Sequence, residues 1–513
     1  MSVLKILFQL FVNFITYVAP ARLAVCFILR IWIQFKSKRL KNKREGYTSI
    51  SGFNEKLQSK ICGFLLSVGE RSLTIKLLEI LARRSPDNLQ IASQLGSAYF
   101  LNGDYELSER TFSILEKAKS AYRDAYNMGS INASILDDSW TLAIGHVAHI
   151  DVHFKEKFLN NKIQDPTIMF DNFGKNVPGV GILRHYNKYN FKYISASTNA
   201  ERLNKVNGLL TMNFTGRQLD SYKTSFWHGA SATGHTRLFG RYSADINARW
   251  KEKGLQPLAK SNDEQAQAFR QRLEQDFGIP TTAWYVLFHV REAGFHKKWH
   301  NMNPGTRNAD VDTYIDAMKF VVKQGGWVIR GGDNSMKPLP EIPNVIDFAG
   351  VGQFDPSYPI DLCEHCEYFV GTNSGYSLVP GIFGRRSLLT NWSPIGVPNW
   401  FQDDIFIPKR IWDKENSCYL SAREMFDSFC GWSQFQKDFD GSRYEIIDNT
   451  DDEILDAVKE IHSEIFHGSK SFKPNQTLSR LSEKYTELAV EKNSYKGSKL
   501  SLSFIKRHKD FIS

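Results

Sequence analysis

Apolar and polar positions keep three different rhythms along this chain. Ile6 to Ala21 is a run of sixteen uncharged, mostly apolar residues, continued after Arg22 by seven more to Leu29 and then by Ile31, Trp32 and Ile33. That is close to the length of a bilayer span. Residues 60–119 carry apolar positions at helical spacing and repeat at an offset of 34: Leu65 with Tyr99, Gly69 with Gly103, Leu78 with Phe112. From about residue 130, short apolar runs alternate with helical stretches, the pattern of α/β layers. Residues 451–467 and 476–491 return to an amphipathic helical period.

The chain has 513 residues, 42% hydrophobic and 23% charged, so it is globular and long enough for about three domains. Its formal net charge is +10, but nine Lys or Arg and no acidic residue fall within residues 1–44, which leaves +1 for the remainder. The body therefore lacks the charge excess of a nucleic-acid binder. The basic run Lys36 to Arg44 follows the apolar stretch and, by the positive-inside rule, stays on the cytoplasmic side. A cleaved secretory signal has the opposite polarity. Pro20, Arg22 and Arg30 interrupt the stretch, which favours a helix pair lying in the membrane interface over a single span near residues 3–21. A soluble apolar helix docked on the protein's own core is the third reading. The six cysteines show no disulfide framework, and Cys363 and Cys366 read as two buried thiols one helical turn apart rather than a zinc site. No metal site is expected.

The second copy of the repeat, LGSAYFLNGDYELSERTFSILEKA, resembles the tetratricopeptide pattern, with Gly96 where two helices cross, Tyr99 in the core, a turn at Gly103 to Tyr105 and Ala118 late in the second helix. Two copies are fewer than a free-standing solenoid needs, so the segment reads as a docking surface for a protein partner or a neighbouring domain, or as a plain helical spacer.

Beyond it, residues 139–146 (SWTLAIGH) read as a strand ending in Gly145 and His146, and residues 166–171 (PTIMFD) as another. His146 is a candidate catalytic base, set against the commoner structural histidine. Four further strands are expected. WYVLFHVRE (284–292) delivers His289 and Arg291, and GGWVIRGGD (325–333) delivers Arg330 and Asp333. YFVGTNSGYSLVPGIFG (368–384) stops at Gly371 and passes through Thr372, Asn373, Ser374 and Gly375 into a helix; SLLTNW (387–392) is the fourth. Strand ends of such a sheet gather on one crevice. An arginine fork pairs with phosphate oxygens, and a small-residue turn at a helix N-terminus presents amides to an anion, so the set suits a diphosphate. No GxxxxGK[ST] occurs, and no GxGxxG follows a first strand, which argues against a P-loop enzyme and a dinucleotide oxidoreductase.

AIGH, LFHVRE, RNADVDTY (307–314), WVIRGGDNSMKPLP and FVGTNSGYSLVPGIFG with SLLTNW resemble a bacterial glycosyltransferase family of surface-polysaccharide gene clusters, whose members carry a tetratricopeptide-like segment before a GT-B-type catalytic region. The order HxR, a strand with GD, an Asp361-Leu362 helix with Cys366, then the TNSG turn, is also similar to the fucosyltransferase superfamily. The resemblance implies two Rossmann-type domains, a nucleotide-sugar donor with GDP among the candidates, a glycan or lipid-linked acceptor, no cofactor, and work on the cytoplasmic face of the inner membrane. It implies Arg291 on the diphosphate, Ser374 and Gly375 on a phosphate, and Asp333 near base or ribose. Where the fucosyltransferase motif commonly has a second arginine, this chain has Glu292, either a base for the acceptor hydroxyl or a group that orients Arg291. His146, Glu292, His296 and His300 stand unranked as bases. Asp310 to Asp312 (DVD) reads as a helix cap rather than a metal-binding DxD.

The expected organisation is a membrane-associated segment (1–44), a helical tetratricopeptide-like segment (45–128), an acceptor domain (129–280), a nucleotide-sugar domain (281–450) and C-terminal helices with a tail (451–513). The competing reading is a non-catalytic helical-repeat scaffold of a polysaccharide assembly complex.

Overall fold

The computed structural model describes residues 71–84, 89–102, a few positions from 104 to 111, 134–136, 141, 144–171, 179–195, 232–292, 305–350, 357–434, 436–468, 476–492 and 494–512. The segment expected on the membrane, 1–44, lies outside them, as do Gly69, Gly103, His296 and His300. Among the described residues, no helix is long and apolar enough to cross a membrane. The chain divides into two compact units, residues 1–131 with 201–239, and residues 132–200 with 240–513.

In the first unit, helices α1 (Arg71–Arg84) and α2 (Leu89–Asn102) pack as a pair. Their apolar stripes bury Leu78, Leu81, Ile91 and Leu95, Gly96 is buried, and the Tyr99 hydroxyl donates to Glu79 Oε1 at 2.7 Å. Arg83 and Arg84 in the last turn of α1 complement the helix dipole.

The second unit is α/β. A small parallel sheet joins β1 (Ser134–Leu136), β2 (Thr167–Asp171) and β3 (Phe191–Ser195), with helix α3 (Val147–Leu159) between the first two. Among the described residues of the expected strand at 139–146, none is in a strand. The strand lies upstream at β1, Thr141 and Ile144–His146 are in 3-10 turns, and Thr141 O accepts from Gly179 N at 2.8 Å instead of a ladder partner. Helices α4 (Ala232–Glu252) and α5 (Asp263–Phe277) lead to the large sheet; Asn262 caps α5 through a reciprocal box with Gln265.

Seven strands form that sheet: β4 (Tyr285–His289), β5 (Trp327–Arg330), β6 (Val345–Asp347), β7 (Tyr368–Gly371), β8 (Arg386–Trp392), β9 (Ile405–Pro408) and β13 (Lys499–Leu500). All neighbours are parallel, in the order β13-β9-β8-β7-β4-β5-β6. The inner strands β4 and β7 are buried along their whole length, as their unbroken apolar sequences require of strands covered on both faces. Helices α6 (Ile315–Lys323) and α10 (Asp451–Phe466) pack together and on the sheet, as do α7 (Tyr358–His365) and the short α8 (Val379–Ile382). A small antiparallel sheet links β10 (Arg410–Asp413), β11 (Cys418–Tyr419) and β12 (Tyr444–Ile447), with helix α9 (Ala422–Asp427) in the connection.

The stretch 494–513 is not an exposed tail. After α11 (Gln476–Glu491) it supplies β13 to the open edge of β9, and helix α12 (Leu502–Arg507) buries Phe504 and Ile505. An edge strand left uncovered would present unpaired backbone groups, and β13 pairs them.

Candidate functional site

The chain enters the large sheet at β4, builds β5 and β6 on one side, and then returns to build β7, β8, β9 and β13 on the other. The strand order therefore reverses between β4 and β7. A crevice opens outside the carboxyl ends at such a reversal and is where doubly wound sheets hold ligands.

Backbone and side chain tie these two strand ends together. Thr372 N donates to His289 O at 3.1 Å, and Arg291 N donates to the fully buried Thr372 Oγ1 at 2.9 Å. His289 Nδ1 lies 3.0 Å from Gly331 O, a partner that can only accept, so the neutral ring carries its proton on Nδ1. Burial holds that imidazole down at about 4, so it is uncharged near neutral pH. Asn373 Nδ2 donates to Ser393 O at 2.7 Å and fixes the turn from its outer side. Ser374 Oγ is a buried hydroxyl without a hydrogen-bond partner, at the start of the helical stretch Gly375–Ile382.

The two small-residue turns found in the sequence meet here. An ideal Cβ on Gly375 would lie 2.7 Å from Gly145 Cα, and one on Gly145 would lie 2.3 Å from Gly375 Cα. Backbone packs on backbone, and this contact joins the 3-10 turn Ile144–His146, which precedes α3, to the TNSG turn of the large sheet. His146 follows directly; its ring stacks on His149 with centroids 5.6 Å apart, and His149 stacks on Trp400 at 5.5 Å.

Two arginines at strand ends have different surroundings. Arg330 is fully buried and held by protein through both terminal nitrogens, while its Nε has no hydrogen-bond partner: NH2 donates to Glu292 Oε1 at 2.9 Å, and NH1 donates to Lys337 O at 2.7 Å and Asp347 Oδ1 at 3.1 Å. Glu292 spends its second oxygen on Lys337 N at 2.7 Å, and Asp333 accepts Ser335 N at 2.8 Å within the loop after β5. The structure thus pairs Glu292 with Arg330 and holds Asp333 in a local turn.

Arg291 instead donates from NH1 to the neutral Asn308 Oδ1 at 2.7 Å. Burial, and then the nearby Arg307, lower it to about 9. Arg307 is itself lowered to about 10 by burial, and its Nε is buried without a hydrogen-bond partner. Lys409, also buried, donates to Asn308 O at 2.5 Å and to Asp448 Oδ1 at 2.6 Å, and burial lowers it too. Both guanidinium groups remain cations at neutral pH, and the charge of Arg307 is felt at Arg291. An anion seated against them would relieve both costs.

A cavity of about 650 Å³ adjoins this cluster, lined by Glu292, Asn308 and Lys409 together with Phe439 and Tyr444. Its remaining acids include Asp310, Glu445 and Asp448. Asp310 acts as a cap, accepting Asp312 N at 3.1 Å before the 3-10 turn that leads into α6. Arg307, Asn308 and Lys409 were absent from the sequence-derived set. Arg307 and Asn308 open the RNADVDTY stretch, and only the fold brings Lys409, a hundred residues on, to the Asn308 carbonyl.

No protein-family model matches the chain, and no curated protein matches it in sequence. Solved structures that are similar in part include two glycosyl-group transferases. The E. coli ADP-heptose LPS heptosyltransferase II aligns over 50% of this chain and 84% of its own at 12% identity and a TM-score of 0.31. A family 9 glycosyl transferase from Veillonella parvula aligns over 50% and 80% at 10% identity and a TM-score of 0.30. Likenesses this slight carry none of the argument, which rests on the crevice itself.

Proposed function

We infer that this chain is a glycosyltransferase of GT-B type that moves a sugar from a nucleotide-diphosphate donor to a surface-polysaccharide or lipid-linked glycan acceptor. The observation that carries the reading is the placement of Arg291, buried at the end of β4 and donating to Asn308, beside a second arginine, Arg307, at the β4/β7 reversal. In this reading they hold the donor's diphosphate, Ser374 Oγ and the amides after it take a phosphate oxygen, and the nucleoside lies in the adjoining cavity. There carboxylates face the ribose hydroxyls, and Phe439 and Tyr444 offer ring surface to the base. Charge on the leaving diphosphate grows as the glycosidic bond breaks, so fixed cations already dehydrated in the free protein favour the transition state over the ground state.

The acceptor belongs on the side of the small sheet, where His146 sits next to the Gly145–Gly375 contact and is the base best placed to take the hydroxyl proton. Glu292 is less suited, because both its oxygens already accept hydrogen bonds. Residues 1–44 place the reaction at the cytoplasmic membrane surface in this reading, close to a lipid-linked acceptor. Calorimetry of the full chain with GDP, UDP, dTDP and CMP tests the proposal. One nucleoside diphosphate binds to the wild type, and Arg291→Ala and Arg307→Ala each weaken it at least tenfold. Failure of the folded protein to bind any of the four overturns it.

A further inference from the structure

Away from the crevice, a second cluster of polar side chains is buried between the 3-10 segment Val180–Tyr189 and helix α7. His185 extends from the first element, and Asp361 and Glu364, at positions i and i+3 on one face of α7, extend from the second. All three are buried, and one ligand atom from each lies within 4.8 Å of the others. The two elements are close because Gly181 packs on α7's N-terminal residue: a Cβ there would lie 2.7 Å from Ser357 Cα.

Each group is held in a form that suits a metal. His185 is only 5% exposed. A contact with the Lys260 backbone engages the ring, while Nε2 has no hydrogen-bond partner and points at Glu364 Oε2, 3.7 Å away. A neutral ring whose lone pair faces a carboxylate oxygen is repelled unless a cation lies between them. Glu364 is fixed from behind, its oxygens accepting Ser261 N at 2.5 Å and Ser261 Oγ at 2.8 Å, and Asp361 is flanked by Arg184. Hydrogen bonds of this kind orient the ligating carboxylates.

We propose that His185, Asp361 and Glu364 form a structural site for one divalent transition-metal ion, with Zn²⁺ the natural occupant, stapling the 180–189 segment to α7. One imidazole nitrogen and two carboxylate oxygens form a donor set that Zn²⁺ accepts. With Zn–ligand bonds near 2.0–2.1 Å, tetrahedral ligands stand about 3.4 Å apart, so the 3.7 Å between His185 and Glu364 is already close and Asp361 completes the set by a side-chain rotation. The staple lies on the helix layer rather than at the carboxyl edge of β4 and β7, so sugar transfer does not pass through it.

The test uses the full chain in detergent, stripped with a chelator, equilibrated with Zn²⁺ alone, desalted and assayed by elemental analysis, with affinity measured against a chromophoric chelator. One equivalent of zinc is expected, with a rise in melting temperature on adding it back. His185→Gln and Glu364→Gln should each weaken zinc at least tenfold, while nucleotide binding at the crevice is retained. If either variant does not fold, Asp361→Asn, at the rim beside Arg184, is measured in its place with the same expectation. Less than a tenth of an equivalent in the wild type, or equal zinc affinity in wild type and variants, overturns the proposal.

Discussion

Replacing Arg291 by methionine separates a ligand-binding cation from a structural one, because the two roles predict opposite signs for stability. Arg291 is 6% exposed and lowered from 12.5 to about 9. At about 1.36 kcal/mol per pK unit, that drop is a cost of roughly 5 kcal/mol for keeping the charge in place. Methionine has similar length and no charge, so the substitution removes this cost. It also leaves Asn308 Oδ1 without its donor, a loss of about 1–3 kcal/mol. The balance is a net gain of about 2–4 kcal/mol in the absence of ligand, an upward shift of roughly 3–6 °C for a unit of this size. The assay is thermal and urea unfolding of wild type and Arg291→Met, each with and without the nucleoside diphosphate found by calorimetry. The variant should melt higher than wild type without ligand, and the ligand should raise only the wild type. A variant that melts lower and still binds nucleotide refutes the reasoning, and Arg291 is then a tie within the fold.

Arg330→Met should show the opposite behaviour: it strands Glu292 and Asp347 around a buried gap, and the urea midpoint should fall by the equivalent of about 3–5 kcal/mol. Gly375→Ala drives a Cβ into Gly145, with Cα at 2.7 Å and N at 2.8 Å, so stability should drop by about 1–3 kcal/mol and transfer by about a hundredfold; unchanged melting would contradict the contact. His289 is neutral in the fold down to about 4, whereas in the unfolded chain it takes up a proton near 6.5. The unfolded state therefore binds more protons between these values. Its contribution is complete above pH 6.5 and declines by roughly 3 kcal/mol as pH falls to 4, a dependence that His289→Gln should abolish in urea titrations across that range. Residues 1–44 should bring the protein down with vesicles of anionic lipid and not with neutral ones, the fraction bound falling as salt rises; equal sedimentation with both would remove the electrostatic part of that reading.

The large sheet was legible because its inner strands are covered on both faces and so appear as unbroken apolar runs, as in YVLFH and YFVG. The stretch ending in AIGH has the same local look, and there the reading failed. A short apolar run has no period long enough to separate a strand from the entry to a buried helix, and Gly145 is small because Gly375 lies against it. Two-residue β13 carries no pattern at all; its pairing exists because β9 has an open edge. The arginines are the most instructive case. Arg291 and Arg330 both end an apolar strand, and sequence position cannot tell them apart. What distinguishes them is Glu292 and Asp347 around one, and Asn308 and Arg307 around the other.

That difference also indicates why the site lies where it does. A fold selected only for stability surrounds a buried guanidinium with acceptors, as this one does for Arg330, because an uncompensated charge costs several kcal/mol. At the β4/β7 reversal the chain does otherwise. It sets Arg291 beside the Asn308 amide and near a second cation, Arg307, and buries the Ser374 hydroxyl unpaired. Glu292, adjacent to Arg291 in sequence, is directed away to Arg330 and the Lys337 amide. The Glu292 carboxylate is thus spent on Arg330 and on the loop after β5. A diphosphate has two phosphates to offer two guanidinium groups, and the length of that anion relates the paired arginines to the adjoining nucleoside-sized cavity.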